Sequence, residues 1–325
     1  MQHKPKIPFS FFPLKLYWLK ESLQNNFPYT FFLLYFRNNF KTLYYYLQNC
    51  YLLTMTIKIR NRITRIFFIT SLIYFAIATI LTIYKLLTNT LLFPVFYAPK
   101  VPQHFLFTNN SYAIMISIFI TIIYICFTTF IIIQNFQKTQ ATDMLYFLFF
   151  LISMLCDTVR LFVPLFNCAE TYSNSLIVIA DITLFGKILA PLSICAAIIL
   201  SNEDFRKISD QNILIILIAS LFFANLIPIN TAIILPNFSV SFGYINLLRT
   251  FSIIIFIISI LSLAINNKKN EYSQKSTIGL LFICTGYLIF TNGYSIFTAI
   301  LGPAFLFAGT YFYIATIHRQ YLWIN

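Results

Sequence analysis

Charge is scarce in this sequence: Asp, Glu, Lys and Arg together make up 10% of it, against about 25% in a soluble globular domain. That shortage excludes a water-soluble fold. Glycine occurs seven times and histidine three times, and there is no glycine-rich phosphate loop, nucleophile elbow, H-E-x-x-H helix or pair of catalytic carboxylates. No enzyme activity is expected, and no cofactor is implied. Six cysteines (Cys50, Cys126, Cys156, Cys168, Cys195, Cys284) show neither a C-x-x-C pair nor the His spacing of a zinc site. Most lie in apolar runs, where Cys behaves as a small hydrophobe.

Acidic residues are outnumbered 22 to 9, giving a net charge of +13. Such an excess is often a nucleic-acid footprint, but residues 1–65 hold ten basic residues against Glu21 alone, and the rest are spread over short loops. Basic residues gathered beside membrane spans account for them, so nucleic-acid binding is not expected.

What the sequence has in abundance is apolar length: 59% hydrophobic residues and a mean hydropathy of +0.79. Eight stretches, 66–87, 111–134, 143–164, 174–200, 211–235, 244–266, 276–291 and 295–317, approach the roughly 20 residues that cross a hydrocarbon layer. The last two are divided at Thr291-Asn292-Gly293, and their combined length is too great for one crossing. The expected fold is an all-α, polytopic integral membrane bundle of eight transmembrane helices, a seven-helix unit preceded by one extra helix.

Orientation follows from the loops. Lys58, Arg60, Arg62 and Arg65 precede the first span, and Lys138, Arg206, Lys207, Lys268, Lys269, Lys275 and Arg319 fall in alternate later connections. The opposite connections hold little beyond Lys100, His104 and Glu170. Both termini are therefore expected to be cytoplasmic. The longest external connection, 88–110, carries Pro94, Pro99 and Pro102 and is expected to lie extended or turn-rich across the outer surface.

Two segments are expected along the chain: 1–54, a poorly structured basic and aromatic N-terminal segment, and 55–325, the transmembrane domain. Residues 1–54 show neither helical nor alternating periodicity. Met55 opens the basic leader Met-Thr-Ile-Lys-Ile-Arg-Asn-Arg directly before the first span, which suggests translation from Met55. The alternative is a basic aromatic arm lying on anionic lipid.

Ionisable residues inside the spans are the candidate ligand-binding residues, because each costs about 2.5–3.5 kcal/mol near the bilayer centre and needs a partner. They are Asp157 and Arg160 on the third span, Asp181 and Lys187 on the fourth, and Arg249 on the sixth. All five are expected between the outer rim and the mid-plane. Asp157 and Arg160, three apart, share a helical face with Ser153 and Pro164; Thr183, Lys187 and Pro191 form a stripe at spacing four. Asp181 points away from Lys187, with Arg249 its nearest candidate partner in depth. One reading has these charges only fixing how the helices pack; the other has them lining an outward-facing cavity for a polar or anionic small molecule. A third places Arg160 or Arg249 simply at headgroup level. Pro191, Pro228 and Pro303 are expected to kink their spans, and Ala304 and Ala308, with Gly302 and Gly309 nearby, to admit close helix packing.

Residues 111–317 alone make seven crossings with very short loops, and the run from Asn135 to Pro164 passes from a short polar turn into Met144-Leu-Tyr-Phe-Leu-Phe-Phe. In this the sequence resembles the seven-helix membrane module of bacterial sensor proteins, which is usually fused to an external ligand domain and an internal output domain. The resemblance implies a sensory or signal-transducing protein of the bacterial inner membrane. This sequence carries neither of those domains, so the partners implied are membrane lipids, a small-molecule ligand and a separate cytoplasmic signalling protein. The alternative function is a small secondary transporter or permease.

Overall fold

A computed structural model describes residues 57–91, 93, 109–136, 142–168, 173–199, 209–266 and 271–323. Residues 1–54 and most of the 88–110 connection, with what was expected of them, lie outside the described residues. The elements run α1 (Ile57–Leu87), α2 (Ser111–Phe136), α3 (Thr142–Thr158), a 3₁₀ turn (Val159–Leu161), α4 (Phe162–Leu165), α5 (Ser173–Ile199), α6 (Ser209–Leu226), β1 (Ile229–Ile234), β2 (Val240–Phe242), α7 (Ile245–Asn266), α8 (Glu271–Asn292) and α9 (Ile296–Trp323).

The helices are inside out compared with those of a soluble protein. On α1 the buried stripe is Arg60, Thr64, Phe67, Ser71, Ala78 and Thr82, while Ile66, Ile69, Ile73, Ile77, Ile80 and Ile83 are exposed. On α7, Ser252, Phe256 and Ser259 face inward, and Ile254, Ile257, Ile258, Leu261 and Ile265 face outward. Small and hydroxylated residues let helix backbones approach when the surrounding solvent is as apolar as leucine. Their hydroxyls are satisfied within the helix: Thr64 donates to the Arg60 carbonyl at 3.0 Å and Thr82 to that of Ala78 at 2.7 Å. Among the described residues, six helical elements are long and apolar enough to cross a membrane: α1, α2, α3 continued through α4, α5, α7 and α9. The chain is thus a multi-pass membrane protein.

Six crossings rather than eight meet that standard. Of the other two, α6 is apolar only over Asn212–Leu226, and α8 is rich in glycine and hydroxyls. Its Gly279 and Gly286 face Gly309 and Gly302 of α9. A Cβ on Gly309 would stand 2.7 Å from both the Gly279 carbonyl and the Ile283 nitrogen. The close approach therefore runs through glycines seven apart, and the expected Ala304 is exposed.

Within the helical bundle, one short segment is not helical. The fifth stretch was expected to be helical to 235, but its helix ends at Leu226 and an antiparallel hairpin, β1–β2, follows. Pro228 is the cause: it cannot continue the hydrogen-bond ladder and drives residue 227 away from helical geometry. It ends the helix instead of kinking it, whereas Pro191 and Pro303 do stand inside α5 and α9. The turn closes at Leu235, whose N–H donates to the Ser239 carbonyl at 2.8 Å.

One end of the bundle gathers this hairpin, the α8–α9 junction and the start of α2. Asn109 bridges to Ser295, and Phe93 stacks on Phe238 with ring centroids 6.0 Å apart. At the other end, Arg60 donates to the Phe136 carbonyl at 2.7 Å and Phe136 meets the His318 ring.

Replacing Gly309 by Ala should destabilise the bundle by about 1–3 kcal/mol, the range for overpacking a filled interface. An unchanged thermal midpoint in detergent would show that α8 and α9 do not pack this closely.

Candidate functional site

The charged centre is built on the α3–α5 interface. Pro164 has no N–H to offer the Arg160 carbonyl, and the helix tightens into a 3₁₀ turn over Val159–Leu161. Side chains three apart eclipse in that geometry, which brings Arg160 over Asp157. Across the interface, a Cβ on Gly186 would lie 2.5 Å from the Ser153 carbonyl oxygen and 3.2 Å from the Asp157 nitrogen. Only glycine lets α5 come this near, and the next residue along is Lys187.

Asp157 is fully buried and Arg160 is 1% exposed. One carboxylate oxygen of Asp157 lies 3.6 Å from Arg160 Nη2, and the other lies 3.9 Å from Lys187 Nζ. These are ion-pair distances without hydrogen bonds: neither Asp157 oxygen, nor Arg160 Nε, has a hydrogen-bond partner among the described residues. Each cation is also held against an aromatic face, Arg160 over Phe290 at 4.6 Å and Lys187 over Phe242 at 5.0 Å.

Arg160 has a second anchor. Its Nη2 donates to the Phe290 carbonyl at 3.1 Å and its Nη1 to the Thr291 carbonyl at 3.4 Å. These carbonyls belong to the last turn of α8, which has no intrahelical donors and carries about half a negative charge. Asn237, from the hairpin turn, donates to the same Thr291 carbonyl at 2.7 Å, and its side-chain oxygen accepts from the Ser239 hydroxyl at 2.7 Å. The hairpin is thereby fastened over the centre at two points, Asn237 on α8 and Phe242 on Lys187.

Of the five candidate residues the structure brings three together. Ser153, Asp157, Arg160 and Pro164 share a buried face, and Thr183 and Lys187 lie on the α5 side facing it. Asp181 is only half-buried, and no ion pair links it to Arg249 among the described residues. Arg249 is exposed and donates to the Asn292 side-chain oxygen at 3.1 Å. Among the described residues, the pocket beside Arg160 has room for about one water molecule. Sequence reasoning missed Asn237, Phe242 and the α8 carbonyls. The signal was Pro236-Asn237-Phe238-Ser239, a turn sequence between two apolar runs.

No family model, no curated protein and no solved structure matches this chain.

Asp157→Asn leaves Arg160 and Lys187 facing each other without their shared carboxylate, and should lower stability by about 3 kcal/mol. Asp181→Asn should stay within about 0.5 kcal/mol of the wild type. Thermal unfolding of the two variants side by side checks this; equal losses would mean that burial does not distinguish the two carboxylates.

Proposed function

We propose that this protein is an eight-span sensory module of a bacterial inner membrane, with both termini cytoplasmic, that responds to a small ligand at its Asp157–Arg160–Lys187 centre. The observation that carries the reading is the state of the Asp157 carboxylate. It is shared between a cation of its own helical element and one of a neighbouring helix, at 3.6 and 3.9 Å, with no hydrogen bond to either oxygen among the described residues. An incoming anionic group that makes proper hydrogen bonds to Lys187 or Arg160 competes with so loosely held a carboxylate. Displacing it unlocks α3 from α5, and a shift between those helices reaches their far ends, where a separate cytoplasmic protein would read it.

The orientation is supported by the charge at the two ends. Lys58, Arg60, Arg62 and Arg65 begin α1, Lys275 lies in the first turns of α8 and Arg319 near the end of α9, all at the end opposite the hairpin. The positive-inside rule puts that end in the cytoplasm and the hairpin outside. Transport is the second reading, favoured by Pro191 and Pro303 inside α5 and α9, where freed carbonyls let a helix bend.

Two measurements test the proposal. A thiol introduced by Tyr244→Cys, at a residue 73% exposed beside the hairpin, should react with an impermeant maleimide in intact cells, and one introduced by Arg319→Cys only after permeabilisation. The reverse pattern overturns the orientation. Small carboxylates and phosphate esters, screened at fixed ionic strength, should include one that raises the thermal midpoint of the wild type and not that of Lys187→Met. Turnover of such a compound by proteoliposomes would replace the sensor by the transporter.

A further inference from the structure

Two charges outside the Asp157 centre stand on either side of one helix. Asp181 lies on α5 and is half-buried, with no hydrogen bond or ion pair among the described residues. Arg249 lies on α7, is exposed, and bonds through Nε alone, which donates to the Asn292 side-chain oxygen of α8 at 3.1 Å. Helix α7 packs against both α5 and α8, so the carboxylate is on one flank of α7 and the guanidinium on the other. We infer that the outward face of α7 is the seam of a two-fold homodimer, in which Asp181 of each copy pairs with the partner's Arg249.

Symmetry is what matches the charges. Two copies inserted by the same loop charges share an orientation, so their two-fold axis runs along the bilayer normal and the seam helices are parallel. A molecule facing its own copy presents its left flank to the other's right. Each Asp181 therefore meets an Arg249, twice per dimer, and no like charges are opposed. Depth agrees: both helices begin at the hairpin end, and at 1.5 Å per residue Asp181 lies about 12 Å along α5 and Arg249 about 6 Å along α7, a difference that an arginine side chain spans.

The face between the charges suits a parallel pair. Helix α7 is the least enclosed of the six spanning elements among the described residues. Leu247, Phe251, Ile254, Ile258, Leu261 and Ile265 are 38–69% exposed and alternate at spacings of four and three, the repeat of a coiled-coil seam. Lipid would cover such a row equally well; the charges decide for a protein. A carboxylate in an apolar span needs a cation, and this chain carries the complement itself, on the opposite flank, which selects a second copy over a different partner. The inference rests on the membrane fold alone and stands apart from the ligand proposed for the Asp157 centre.

The test uses the full chain in native membranes and in nanodiscs. Ile254→Cys, in the middle of the seam, should give a covalent dimer on copper-phenanthroline oxidation; Ile69→Cys on α1, 55% exposed, should not. Asp181→Arg and Arg249→Asp each oppose like charges and should each weaken self-association about tenfold or more. Co-expressed, the two variants should form a heterodimer, because every reversed charge then faces its opposite. Asp181→Asn should weaken association without unfolding the monomer, since the carboxylate bonds nothing among the described residues of its own chain. The inference is overturned if the chain stays monomeric with lipid alone on α7, if the cross-link forms at position 69 and not at 254, if the Ile254→Cys adduct has the mass of a complex with a different protein, or if co-expression of folded variants does not restore pairing. Should the charge-reversed variants fail to fold, the two cross-links decide the matter alone.

Discussion

A carboxylate held between two cations inside a bundle surrounded by lipid constrains everything around it. Asp157 cannot face the hydrocarbon, so α3 must turn that face inward. Arg160 must follow it, and the 3₁₀ turn before Pro164 supplies the alignment. Lys187 must come from the next helix, and Gly186 lets that helix approach. The surplus positive charge is met in part by the carbonyl end of α8, which fixes where that helix stops and where α9 begins. The hairpin then closes over the assembly through Asn237 and Phe242. Removing the carboxylate would leave each of these features without its reason.

The rest of the bundle is held by a different rule. With apolar side chains equally content in lipid, helix association relies on close backbone approach and on internally satisfied hydroxyls. Serine and threonine stripes on α1 and α7 and the glycines between α8 and α9 serve that purpose. Arginine has one structural habit at both ends of the molecule: Arg60 donates to the last carbonyl of α2 and Arg160 to two carbonyls in the last turn of α8. Each closes a helix C-terminus that would otherwise present bare carbonyls to a low-dielectric interior.

Hydropathy made the helices legible, and the i, i+3 spacing made the Asp157–Arg160 pair legible, because both signals are local. The Lys187 contact was only half visible: its stripe with Thr183 could be read, but its partner depended on which helices pack together. Asp181 misled, since an ionisable residue in an apolar run looks the same whether it faces the core or the periphery; here it lies at a half-buried position, and Arg249 is occupied by Asn292. The hairpin was hidden by hydropathy itself. Its strands are as apolar as the helix before them, and only Pro228 and the Pro236-Asn237 turn distinguished it. The α8 carbonyls could not be read from side-chain identity at all, being backbone groups exposed by the end of a helix.

The central claim, that Asp157 and Lys187 hold α3 to α5 through their charges, is tested most directly by a double-mutant cycle. Thermal or denaturant unfolding would compare the wild type, Asp157→Asn, Lys187→Met and the double variant. Energetically coupled charges predict a double variant more stable than the two single losses added together, by about 1 kcal/mol or more. Strict additivity would contradict the account and reduce the centre to two residues that happen to be neighbours.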